Sequence, residues 1–304
     1  MPRLHLGINT CFAVKRWPEP EQWLDIVRQD LELDCCQFSL DLVDPLLDSE
    51  ALVAYADETR ALAAERGVLL HSTFTGLAAY SWSQLLHPSE QMRAAALRWY
   101  ERAIDFTARL GAWGMGGHIG AFSVRDAANA ERKSALLAEM TRRLNYLTRY
   151  AADKGLRCLL FENMAVEREY GHSIEEAQAL AGLTTSDGVP LVLCLDVGHP
   201  CALRTGTSSD DYQAWLAQPW PHSPVVHLQQ TDRGSDHHWP FTEAYNSQGL
   251  IRPAEVIAAI QQWPAGSDVY LFLEPIHPFE AGDAGVLQDL RASARYWKEA
   301  IAQA

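Results

Sequence analysis

Hydrophobic residues along the chain fall into short continuous runs, separated by longer stretches in which they recur every three or four positions, and this alternation continues to the C-terminus. A short apolar run bounded by turn residues reads as a strand buried on both faces, and the longer period as an amphipathic helix. Strands are predicted at Leu4–Asn9, Cys35–Leu42, Val68–Thr75, Trp113–Ile119, Cys158–Met164, Leu191–Val197, Val225–Thr231 and Val269–Ile276. Helices are predicted near Glu19–Leu33, Ser49–Arg66, Ser89–Leu110, Asp126–Lys154, Ser173–Thr184, Asp210–Leu216, Pro253–Gln262 and Ala284–Ala302. Several open on Ser or Asp, or with Pro as first residue, and Gly67 and Gly155 follow two of them where a left-handed C-cap belongs.

Eight β-then-α units with nearly continuous apolar strands predict a single domain over residues 1–304, closed into a (β/α)8 TIM barrel. An open doubly wound sheet is the alternative, but no glycine-rich phosphate fingerprint follows the first strand. Two long connections, Gly76 to Pro88 and Asp232 to Ile251, follow strands and carry aromatic residues. In a barrel they fall on the rim where active sites are built.

Composition narrows the class. The chain has 304 residues, 48% of them hydrophobic, which is enough for a substantial core. No apolar run approaches the ~20 residues that span a bilayer, and no charged segment followed by an apolar one opens the chain. The reading is a soluble, cytoplasmic protein with no membrane partner. Six cysteines lack framework spacing and sit mostly in apolar runs, which predicts reduced, packed thiols. A formal charge of −14 without a cluster of Lys and Arg argues against a nucleic-acid partner. A small anionic substrate is compatible with it, because a few local arginines can dominate inside a cleft.

Four of the apolar runs end in a side chain that ligates metals: Phe161-Glu162-Asn163, Leu195-Asp196-Val197-Gly198-His199, Val226-His227-Leu228 and Leu273-Glu274-Pro275. Taken singly, a rim carboxylate often caps a helix and a strand histidine is often a satisfied core residue. Four on successive strands point to one shared centre, since buried carboxylates are costly to gather without a compensating cation. Three carboxylates and one imidazole suit one divalent ion, Mn²⁺ first, with Mg²⁺, Co²⁺ or Zn²⁺ also compatible. His199, three residues after Asp196, reads as a hydrogen-bonding partner, a second metal ligand or a neutral substrate contact, the last being favoured. Arg233 offers a planar cationic fork for a substrate oxygen or phosphate, or a surface ion pair with Asp232 or Asp236. His71 and His118 end the third and fourth strands and are expected in the cleft as polar lining or extra ligands. His237-His238-Trp239 can approach a ligand or remain solvated, and Trp17 and Trp82 can wall the pocket. Gly114, Gly116 and Gly117 read as close backbone packing rather than a phosphate cradle.

On these motifs the chain resembles the xylose-isomerase-like TIM-barrel superfamily of sugar isomerases and epimerases, which also contains endonuclease IV, and within it the ketose 3-epimerases. The resemblance implies that Glu162, Asp196, His227 and Glu274 hold the metal and that His199 and Arg233 bind substrate. It implies C3 epimerisation in carbohydrate catabolism through a metal-stabilised enediolate, with Glu162 and Glu274 as the acid and base pair. Position 168 is Arg where those epimerases place a substrate-contacting Glu, and their His-Leu-Lys-Asp strand reads His227-Leu228-Gln229-Gln230 here. Arg168, Arg233 and Arg204 suit a phosphorylated, shorter ketose, in outline like tetrulose-phosphate epimerases. Aldose–ketose isomerisation uses the same apparatus. An abasic-site nuclease would recruit His71, His118, His199 and Asp236-x-His238 as further ligands, and a non-catalytic sugar-binding barrel would need only the pocket. Relatives of this kind are often homo-oligomers, and a sugar or sugar phosphate is the expected small-molecule partner.

Overall fold

A computed structural model of the chain describes residues 1–183, 187–222 and 224–304. Eight parallel strands, β1 Arg3–Asn9, β2 Cys35–Ser39, β3 Leu69–Phe74, β4 Gly114–Gly117, β5 Cys158–Glu162, β6 Leu191–Asp196, β7 Val225–Leu228 and β8 Asp268–Leu273, pair in chain order. β8 returns to β1 and closes the barrel. The connecting helices are Pro20–Asp25, Ser49–Arg66, Glu90–Leu110, Ala130–Asp153, Ile174–Ala181, Tyr212–Leu216 and Pro253–Ile260, with Asp283–Ala302 completing the ring. Among the described residues no helix is long and apolar enough to cross a membrane, and all six cysteines are free.

The elements differ from the sequence reading where a local residue decides. The predicted helix Asp126–Lys154 divides into Val124–Ala127 and Ala130–Asp153, because Asn129 turns its side-chain oxygen to the Arg132 N–H and starts a new helix. The helix predicted to end at Thr184 is observed to Ala181, and Thr184 lies outside the described residues. Strand ends retreat toward the barrel because the chain finds other partners at the rim. Gln230 exchanges two hydrogen bonds of 2.9 Å with Trp239, and so the loop after β7 folds back on its own start. The loop after β3 contains the short helix Gly76–Tyr80, whose first N–H groups are capped by Asp41, 2.8 Å from both Leu77 N and Ala78 N.

Inside the barrel the strand period of two sets the layers. Cys158-Leu160-Glu162, Val192-Cys194-Asp196, Val225-His227 and Tyr270-Phe272-Glu274 each alternate inward, with apolar residues below and a ligating residue above. The larger apolar core lies between strands and helices. β4 is almost bare, for a steric reason. A Cβ on Gly116, at φ +156°, would stand 1.9 Å from the Leu160 carbonyl oxygen, and one on Gly117 would stand 2.6 Å from the Phe74 ring. Close backbone packing is therefore the role of these glycines.

His71 does not reach the mouth. The β2–β3 register slips between Cys36 and Gln37, which pair with Leu70 and Ser72, and His71 is the extra residue of this bulge. Its ring rests at the amino end of the barrel against Tyr270, Trp113 and Phe272, with centroids 4.2, 5.3 and 5.4 Å away. Burial pushes its pKa down to about 3. The expectation that His71 lines the cleft is corrected: it plugs the floor.

Candidate metal centre

Glu162 ends β5, Asp196 ends β6, His227 lies one residue from the end of β7, and Glu274 follows β8. Their ligating atoms all lie within 4.8 Å of one another. His227 Nδ1 stands 3.1 Å from Glu162 Oε1 and 2.8 Å from Glu274 Oε2. All four side chains are buried, and Glu162 Oε1 and Oε2, Asp196 Oδ2 and His227 Nδ1 make no hydrogen bond of acceptable geometry. Buried polar atoms are normally satisfied, so four orphans facing one point fit a shared cation. The donor set, oxygen-rich with one imidazole, fits a hard or borderline divalent ion.

The other atoms of these residues are held in place. Asp196 Oδ1 accepts from Gly198 N at 2.6 Å, His199 N at 2.9 Å and Gln229 Nε2 at 3.1 Å. Asn163 clamps the Asp196 backbone on both sides, at 2.8 and 3.0 Å. Its own carbonyl receives His199 Nδ1 at 2.6 Å, which turns Nε2 of His199 toward Asp236 Oδ2 at 3.3 Å. Gln229 also donates to Asp236 and accepts from the His238 backbone N–H, each at 2.7 Å. Gly198 leaves room for it, since a Cβ there would lie 2.4 Å from the Gln229 amide carbon.

The electrostatics are those of carboxylates compressed among histidines. Burial pushes the Glu162 carboxyl up. At Glu274 burial acts in the same direction, but His227, His238 and His199 outweigh it and hold the carboxyl below its ordinary value. Burial opposes charge on His238 as well, yet Asp236 and Glu274 raise it to about 10. His118, 3.4 Å from Glu162 Oε2, is driven down to about 3 by burial.

Above the ligands opens a cavity of ≈ 260 Å³ walled by Phe74, Tyr80, His118, Met164, His237 and Ile276, among others. A second compartment, ≈ 320 Å³, shares Cys11, Asp41, Leu77 and Ile276 with it and reaches Arg16 and His277. A third, ≈ 290 Å³, shares Tyr80, His118 and Met164 and ends at Trp82, Arg168 and Glu169.

The structure thus gathers Glu162, Asp196, His227, Glu274, His118 and His199, and adds His238 and Asp236 beside them. Arg233 is corrected: it is exposed on its loop and does not line the cavity. The ion pairs foreseen for it do not form among the described contacts, because Asp232 meets His237 at 3.0 Å and Asp236 faces His199 and His238. Arg168 is exposed at the rim of the third compartment, and the next residue, Glu169, is the one turned inward. Arg204 is occupied with the carbonyl oxygens of Cys201 and Leu203. Trp17 packs on Phe12 at 6.1 Å rather than on the cavity. Gln229 and Glu169 were missed. Gln229 lies one residue past the end of β7 and continues the step of two from His227, a usable signal; Glu169 sits in an irregular loop and had none.

Comparison with known proteins agrees with this architecture. Residues 29–274 match the family model described as xylose isomerase-like TIM barrel. The chain is 25% identical over 299 residues, 97% of its length and 95% of the relative's, to the D-erythrulose 1-phosphate 3-epimerase of Brucella abortus (strain 2308). A crystal structure from Rhodospirillum rubrum ATCC 11170, provisionally named a xylose isomerase, superposes with TM-score 0.90 and 32% identity over 97% of this chain and 99% of that one. The D-allulose 3-epimerase of Methylomonas sp. shares the fold, with TM-score 0.69 and 19% identity over 100% and 98% of the two chains. The chain is an enzyme of the xylose isomerase-like TIM-barrel family.

Proposed function

We propose that this enzyme inverts C3 of a short ketose, with one divalent cation, Mn²⁺ in the first place, held by Glu162, Asp196, His227 and Glu274. The observation that carries the reading is the pair of buried carboxylates flanking His227 at 3.1 and 2.8 Å beneath a single cavity. When bound, the cation supplies positive charge opposite the substrate oxygens on which negative charge collects as the C3 proton leaves. One of Glu162 and Glu274 takes that proton and the other returns one to the opposite face. His199 and His118 replace Arg233 as the groups that orient the carbonyl-side oxygens. Phe74, Tyr80 and Ile276 keep bulk water from the reacting carbon.

The substrate we propose is a phosphorylated tetrulose, of the kind named for the Brucella relative. The cavity, ≈ 260 Å³, is small for a ligand pocket, which favours a short sugar. For the phosphate end we propose the second compartment, where Arg16 is held by the Pro278 and Ala281 carbonyls and by the exposed Asp283, and would exchange Asp283 for the phosphate; Glu169 in the third compartment works against an anion. Proton NMR in D₂O on free and phosphorylated tetruloses to hexuloses, with Mn²⁺ present, tests the reading. Deuterium entering C3 with inversion supports it; an aldehyde product would transfer the chain to the isomerases. Glu162→Gln and Glu274→Gln are each expected to lose at least ~10²-fold in turnover, and full activity in either removes that residue from proton transfer.

One observation favours a second reading. Asp196, His199 and His238 also bring ligating atoms within 4.8 Å of one another, a count that an abasic-site nuclease could use. The charge of −14 opposes duplex DNA, and an abasic-site cleavage assay decides.

A further inference from the structure

Beneath the ligands runs a line of polar side chains with no exposure at all: Asn9 on β1, Gln37 on β2 and Ser72 on β3. Their hydrogen bonds have a direction fixed by the backbone. The Cys11 N–H donates to Asn9 Oδ1 at 2.9 Å. A peptide N–H cannot accept, so the atom it meets is the amide oxygen, and Asn9 must turn its NH₂ into the barrel. That NH₂ donates to Gln37 Oε1 at 2.8 Å and to Glu274 Oε1 at 3.1 Å. Gln37 sends its own NH₂ the other way, to Ser72 Oγ at 3.1 Å. The Gln37 oxygen is therefore the atom 2.6 Å from His227 Nε2.

A neutral imidazole carries its proton on one nitrogen or the other, and its partner decides which. Against an amide oxygen that already accepts from Asn9, Nε2 has to donate. The lone pair is then left on Nδ1, the nitrogen turned to Glu162 and Glu274. The same Asn9 amide occupies Oε1 of Glu274 and leaves Oε2 to face the centre.

We propose that Asn9 and Gln37 are positioning residues that transmit the polarity of the Cys11 peptide N–H to His227, holding it in the tautomer whose Nδ1 can ligate, while orienting Glu274. The proposal rests on the metal-centre reading above. If the two amides merely filled the barrel, any residue of similar shape would serve.

The test titrates Mn²⁺ into metal-free protein by calorimetry, with the thermal midpoint of each metal-free variant as a check on folding. Gln37→Leu removes the acceptor and is expected to weaken Mn²⁺ binding by about 10- to 100-fold. Gln37→Glu keeps an oxygen toward Nε2, with the Ser72 hydroxyl able to turn and donate, and should bind within about threefold of wild type, as carboxylate-backed histidine ligands do. Asn9→Asp is nearly isosteric but sets an acceptor against the Gln37 oxygen. The Gln37 amide then turns over and the His227 proton moves to Nδ1, which should weaken binding as much as Gln37→Leu. Wild-type affinity in Gln37→Leu, or equal loss in Gln37→Leu and Gln37→Glu, overturns the proposal. Should Asn9→Asp fail to fold, the two Gln37 variants decide alone. Wild-type protein that takes up no Mn²⁺ overturns the metal reading together with this one, whereas Mn²⁺ uptake unchanged across all variants overturns this one only.

Discussion

Replacing Glu169 with Gln should stabilise the protein in alkali relative to acid. Glu169 is buried, 7% exposed, its Oε2 has no hydrogen-bond partner, and burial pushes its pKa from 4.5 up to about 7, although the Tyr80 hydroxyl partly offsets that. A carboxyl whose folded value exceeds its unfolded one binds its proton more tightly in the native state. Its contribution to stability is full below an unfolded value of about 4.5 and is lost as pH rises through about 7. Across that window the loss runs at about 1.4 kcal/mol per pH unit and totals roughly 3 kcal/mol. Gln does not titrate and still offers Tyr80 an oxygen. Urea unfolding of metal-free wild type and Glu169→Gln at two pH values isolates the effect, because titrating groups that do not interact with residue 169 cancel in the difference. The variant is expected to gain roughly 2.5 kcal/mol on wild type between about pH 5 and pH 8. A difference that stays constant with pH, or one that moves the other way, would refute the reasoning.

Other outcomes follow from the same structure. Gly116→Ala sets a Cβ 1.9 Å from a backbone oxygen that cannot yield, and should cost more than about 3 kcal/mol in chemical denaturation or abolish soluble expression; a wild-type midpoint would contradict the β4–β5 packing. His71→Phe, at the barrel floor, removes the ring nitrogen 3.0 Å from Ser72 Oγ and should change the thermal midpoint while leaving KM within about twofold at saturating Mn²⁺, and a selective rise in KM would return His71 to the substrate site. Mn²⁺ at about 100 times its Kd should stabilise the EDTA-treated protein by about 2.7 kcal/mol, read as a shift of several degrees in the thermal midpoint. An unmoved midpoint would speak against resident metal.

What could be read from the sequence depended on whether a residue sat on a regular period. Glu162, Asp196, His227 and Glu274 follow inward apolar residues at steps of two on β5 to β8, so their common direction was legible before any coordinates. His71 broke the rule because the bulge in β3 adds one residue and shifts the phase, a local event without a sequence mark. Arg168 and Glu169 are neighbours in a loop without periodicity, and only the fold decides which of them turns inward. Asn9 and Gln37 looked like ordinary strand residues, since the signal that matters, a chain of directed hydrogen bonds, exists only once β1, β2 and β7 are brought together.

The bareness of β4 has an evolutionary corollary. With Leu160 and Phe74 already filling the space that side chains at 116 and 117 would take, mutation has almost no room to redraw the cleft from that quarter of the wall. Divergence toward a longer or differently charged sugar has to be written instead into the rim segments bearing Tyr80, Met164, His237 and Ile276. β4 supplies a fixed anvil, and the rim segments give descent more room to reshape the tool.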